Sequence, residues 1–125
     1  MQQIVYIGIG GFFGSISRYI ISRFVSNFFP SFPVGTLVVN VTGSFILGFI
    51  SYMVLYGRNI NPDLRSAVTI GFVGAYTTMS TFAFESFRLV ELKDFMLFGA
   101  NLFGNILLCL MAIALSRYMA ILIAK

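Results

Sequence analysis

Four long apolar runs, roughly residues 4–28, 34–56, 64–87 and 95–123, occupy almost the whole chain and are parted only by short connectors. A helix that crosses a bilayer needs about 20 predominantly apolar residues, so each run predicts one crossing. The connectors NFFPSFP, GRNINPD and RLVELKD carry the Pro, Asn, Gly and charge that punctuate helices. Charged residues are 10% of the chain and mean hydropathy is +0.94, whereas a soluble domain carries about 25% charge. The expected fold is therefore all-α and membrane-embedded, a single transmembrane domain over residues 1–125 with four helices. The opening MQQIVYIGIGG lacks a basic n-region, so the first run is expected to be a retained helix and not a removable leader.

The residue inventory excludes most catalysis. The chain has no histidine, its one cysteine, Cys109, lies inside the fourth run, and the acids Asp63, Glu85, Glu91 and Asp94 form no spaced cluster. Paired-carboxylate chemistry and transition-metal sites thus lack their components, and the chain is read as no enzyme. The net charge of +4 belongs to the connectors and helix ends and does not point to nucleic acid.

The placement of the basic residues says more than their sum. With four crossings, Arg58, Arg65, Arg117 and Lys125 fall on one side and Arg18, Arg23, Arg88 and Lys93 on the other. Orientation follows an excess of Lys and Arg on the cytoplasmic side. An even split predicts insertion both ways, and hence an antiparallel homodimer; if Arg18 lies too deep to count, other factors set the orientation. Assembly is also expected because four helices alone enclose a polar path poorly.

Helices in lipid associate through small residues and through polar side chains that bond across the interface. Gly10 with Gly14, and Gly11 with Ser15, have that spacing, and close packing is the simpler account of them. The second run places Thr36, Asn40 and Ser44 on one face, and the fourth sets Asn101, Asn105 and Cys109 one turn apart. An unpaired amide in hydrocarbon costs several kcal/mol, so Asn40, Asn101 and Asn105 must meet another helix, a partner subunit or a polar path. Asparagine offers two N–H donors without charge, which suits a small anion that must bind and leave.

The third run contains GFVGAYTTMSTF, residues 71–82. Gly71 and Gly74 weaken a helix, and Thr77, Thr78, Ser80 and Thr81 can bond the backbone groups so released, which predicts a break between Gly74 and Thr78. A break exposes carbonyls suited to a hard cation such as sodium, and the amino end of the following half-helix favours an anion. Met79 and Phe82, then Phe82 and Glu85, lie about one turn apart. The positive edge of the Phe82 ring could face an anion; ordinary core packing is the alternative.

Over nearly its whole length the chain resembles the Fluc or CrcB family of small fluoride channels, through GGFFGSISRY, GTLVVNVTGSFILG, GFVGAYTTMSTFAFE and NLFGNILL. The resemblance implies an antiparallel dual-topology homodimer with two fluoride pathways and a structural, untransported sodium ion at its interface. It assigns sodium to backbone carbonyls at Gly74 and Thr77, places Asn40 and Phe82 beside fluoride, and puts Arg18 near a vestibule. Glu85 matches the acid that follows the family's phenylalanines. The family usually has TTFSTF, so Met79 replaces the first phenylalanine with a flexible side chain lacking an aromatic edge. Asn101 stands where the family often has an aromatic residue or histidine.

The expected function is passive, fluoride-selective export across the cell inner membrane, conferring fluoride resistance, with surrounding lipid and a second copy as partners. Thr36, Asn40, Ser80, Thr81 and Asn105 are the expected donors along the pathway, with Met79, Phe82 and Asn101 beside them. The competing expectation is a small dual-topology, proton-coupled exporter of organic cations. Such a protein needs an embedded carboxylate, for which Glu85 is the one candidate within a run. A third expectation, an accessory subunit without transport, leaves the polarity of the third run unexplained.

Overall fold

The computed structural model describes residues 1–124, all helical apart from short corners. Helix α1 spans Gln2–Ser26 and α2 spans Val34–Leu55. The third crossing is assembled from α3 (Pro62–Ser66), a π-helical turn (Ala67–Phe72), α4 (Val73–Tyr76) and α5 (Met79–Glu91). Helix α6 spans Phe95–Ala124. The four candidate crossings contain 25, 22, 30 and 30 residues; at about 1.5 Å per residue each exceeds the hydrocarbon thickness of about 30 Å. The chain is a multi-pass membrane protein.

The ends follow local chemistry, which moves them two to four residues from the hydropathy boundaries for the first and third crossings. Gly57, at φ +86°, closes α2 by sending its N–H to the Val54 carbonyl while the Arg58 N–H reaches Met53. Asn61 caps α3 by accepting from the N–H groups of Asp63 at 2.9 Å and Leu64 at 3.3 Å, with Pro62 behind it. That cap starts the third crossing at Pro62, ahead of the apolar run. Lys93, also left-handed, turns the chain so that Asp94 Oδ1 caps α6 through the Leu97 N–H at 3.1 Å.

Packing depends on small residues. Helix α2 lies along α6, α1 lies on the π-turn and α4, and α5 packs on α6. A Cβ at Gly10 would meet the Ala67 carbonyl, and one at Gly14 the Phe72 carbonyl, so α1 can touch the third crossing backbone to backbone only because both are glycine. On α2, a Cβ at Gly43 would meet the Thr77 and Tyr76 side chains. The interior mixes Val39, Val73 and Ala120 with Asn101, Asn105, Ser86 and Ser116, while Phe12, Phe13, Phe24, Phe103 and Leu110 face outward. Such an inside-out distribution requires lipid or a partner around it.

Candidate functional site

The third crossing leaves helical geometry at Thr77 (φ −83°, ψ 157°) and Thr78 (φ −150°, ψ 120°) and resumes at Met79. Two extended residues strand backbone groups that a helix would pair. Asn40 takes up both of those on Thr78: its Oδ1 accepts from the Thr78 N–H at 2.8 Å, and its Nδ2 donates to the Thr78 carbonyl at 3.2 Å. Thr78 Oγ1 caps α5 by accepting from the Thr81 N–H at 3.2 Å, and donates to Thr81 Oγ1 at 3.0 Å.

Carbonyls just before the break lose helical donors as well. In an unbroken helix Gly74 would accept from the Thr78 N–H and Thr77 from the Thr81 N–H. Both donors point elsewhere, to Asn40 and to Thr78 Oγ1. Gly74 is exposed, with open space where a Cβ would stand. Oxygen-only donors without helical partners fit a hard monovalent cation such as sodium. Among the described residues no group of His, Cys, Asp or Glu could hold a metal instead.

A groove of about 320 Å³ opens between α2, the break and α6. Asn40, Thr77, Thr78, Met79, Phe82 and Asn105 line it, and among the described residues its lining carries no charged side chain. Phe82 is 9% exposed and Met79 is 75% exposed at its edge. On the opposite side of the break, a cavity of about 210 Å³ is lined by Ser15, Arg18, Thr36 and Thr81. A neighbouring cavity shares Thr36 and Thr81 and adds Arg23 and Glu85. Thr36 Oγ1 donates to Glu85 Oε1 at 2.9 Å, while the buried Glu85 Oε2 has no partner among the described residues. Arg88 pairs with Glu91 at 3.0 Å, not with Glu85. Thr78 borders both the groove and the Arg18 cavity, so the break separates an uncharged side from a basic one.

The sequence-predicted residues are thus divided between two faces. Asn40, Met79, Phe82 and Asn105 share the groove with Thr77; Arg18, Thr36 and Thr81 share the other side. The Thr36, Asn40, Ser44 stripe is split because each four-residue step rotates it by about 40°. Ser80 is exposed, with its Oγ 3.4 Å from Thr78 Oγ1. Asn101 is fully buried, and its Nδ2 donates to Ser86 Oγ at 2.9 Å. Ser86 has no place among the predicted residues; only its bonds to Asn101 and to the Phe82 carbonyl single it out.

The family profile described as "CrcB-like protein, Camphor Resistance (CrcB)" matches residues 5–117. The chain is 44% identical over 121 residues to the protein named fluoride-specific ion channel FluC 1 of Methanosarcina acetivorans, covering 97% of this chain and 92% of that one. It is 42% identical over 125 residues to fluoride-specific ion channel FluC of Methanococcus aeolicus, covering 100% of both. A further relative of that name, from Citrifermentans bemidjiense, is 44% identical over 111 residues, covering 88% of this chain and 90% of its own. These relatives are named as ion channels, not as enzymes. A match from the first helix into the last, with both glycine-rich packing and the polar third crossing inside it, shows that the chain belongs to the CrcB-like family.

Proposed function

We propose that this protein is a passive, fluoride-selective channel that works as an antiparallel homodimer in the cell inner membrane. The observation that carries the reading is the groove at the break, where neutral dipoles and the Phe82 ring surround a space without a charged side chain. A small, strongly hydrated anion gives up water only to close donors, and it leaves only if no full charge holds it. Arg18 raises the local anion concentration from the other side of the break without entering the groove. The first N–H groups of α5 add a weak positive field where the half-helix starts. The Phe82 edge supplies partial positive charge, and Met79 supplies only polarizable bulk at its rim.

Two further elements belong to the same reading. The Gly74 and Thr77 carbonyls, with their counterparts in an inverted second copy, would hold a structural sodium ion, which supplies positive charge to offset converging carbonyl dipoles. The physiological use is resistance: fluoride enters as its neutral acid, dissociates inside and leaves down its gradient. The relatives carry fluoride in their names and none of the three is named for organic cations, so the exporter reading has no comparable support. Efflux from liposomes holding fluoride and chloride together tests the proposal. Fluoride is expected to leave far faster than chloride, and equal rates overturn it.

A further inference from the structure

Four side chains and two backbone groups around the break form one hydrogen-bond chain whose successive links run in one direction. The Thr78 N–H donates to Asn40 Oδ1 at 2.8 Å, and Asn40 Nδ2 donates to Asn105 Oδ1 at 3.0 Å. Asn105 Nδ2 then donates to Asn101 Oδ1 at 3.0 Å and to the Asn101 carbonyl at 3.0 Å. Asn101 Nδ2 donates to Ser86 Oγ at 2.9 Å, and Ser86 Oγ donates to the Phe82 carbonyl at 2.7 Å. The chain leaves the third crossing at the break, passes through α2 and α6, and returns to it at the Phe82 backbone. Asn101 is 0% exposed, and Asn105, Ser86 and Phe82 are also buried.

The directions have a consequence for the anion. Both Nδ2 hydrogens of Asn40 are engaged, by the Thr78 carbonyl and by Asn105. Both of those on Asn105 are engaged by Asn101. Aligned bonds in a buried chain also reinforce one another, so reversing one amide disturbs its neighbours.

We propose, on the basis of the channel reading, that Asn101 and Ser86 are positioning residues: they anchor the relay that keeps the Asn105 and Asn40 amides at the groove wall engaged within the protein and Phe82 fixed beside it, and so set anion selectivity. They act through Asn105, Asn40 and the Phe82 backbone. Their substitution therefore changes the discrimination of the groove, not only the amount of folded protein. Replacing Asn101 by leucine removes the side-chain acceptor of Asn105, freeing one N–H to turn into the groove. A groove whose wall is no longer held in one geometry loses the close fit that favours the smaller anion.

The test uses full-length Asn101→Leu and Ser86→Ala beside wild type, reconstituted with fluoride and chloride in the same vesicles. A loss of folded channels lowers both effluxes alike, whereas loss of positioning changes their ratio. The expected result is a fall of about tenfold in the fluoride-to-chloride ratio for Asn101→Leu and a smaller fall for Ser86→Ala, the scale of one lost internal hydrogen bond. Amide exchange by mass spectrometry gives a second readout that needs no transport. The Thr78 segment should exchange several-fold faster in both variants, while the far end of α2 stays unchanged. Wild-type selectivity together with unchanged exchange at Thr78 overturns the assignment while leaving the channel reading standing. A wild-type protein that releases no fluoride overturns both.

Discussion

Asn40 holds Thr78 by both of its backbone polar groups, the N–H at 2.8 Å and the carbonyl at 3.2 Å. A side-chain amide from α2 thereby does for an extended residue what a neighbouring strand would do. Inside a bilayer this matters more than in water, because a freed N–H or carbonyl finds no solvent to bond. Replacing Asn40 by leucine keeps the volume and strands both groups. The expected loss is about 2–6 kcal/mol, from about 1–3 for each unpaired group. Thermal unfolding in detergent measures it, and a variant as stable as wild type contradicts the account of the break.

The glycine contact between α1 and the third crossing makes a contrast within one helix. A Cβ at Gly14 would run into the Phe72 backbone, whereas one at Gly8 meets nothing within 4 Å. Gly14→Val should lower stability by about 1–3 kcal/mol through overpacking. Gly8→Ala should leave it equal or slightly raised, since alanine favours a helix by about 1 kcal/mol over glycine. The two detergent melting curves, read side by side, check this.

The crossings were legible because bilayer thickness imposes a length on any apolar run, and the break because Gly71, Gly74 and four hydroxyl residues crowd one segment. The asparagines announced a need for partners but could not name them. Asn40 lies 38 positions from Thr78 and 65 from Asn105, and no periodicity encodes such pairings. The π-helical turn at Ala67–Phe72 has no residue signature of its own; it arises where α1 approaches across Gly10 and Gly14. Ser86 escaped notice because a lone serine in a helix is common, and only its bonds to Asn101 and Phe82 distinguish it. The corner at Lys93 is likewise hidden, since a left-handed lysine is set by the turn and not by its own preference.

Even charge on the two sides predicts mixed orientation. With Cys109→Ser as background, Ser31→Cys, at an exposed connector position that leaves the charge balance intact, should react in intact cells with a membrane-impermeant maleimide in about half of the molecules. Complete labelling, or none, contradicts an antiparallel pair built from one kind of chain.

The carbonyls of Gly74 and Thr77, whose helical donors are taken up elsewhere, predict a dependence on sodium. Exchanging sodium for a bulky organic cation should lower the detergent melting point by about 3 °C or more, because an ion bound only by the folded pair stabilises it. Restoring sodium should recover the loss. An unchanged melting point contradicts the assignment of these oxygens to a cation.

The groove beside the break is the heart of the account, and Phe82 is its best-buried aromatic wall. Fluoride-electrode recordings from liposomes carrying wild type or Phe82→Ile test it directly. Wild type should empty the vesicles of fluoride, and Phe82→Ile, eluting at the same volume, should do so at least about tenfold more slowly. Fluoride efflux at the wild-type rate from Phe82→Ile would contradict the proposal that this groove is the path.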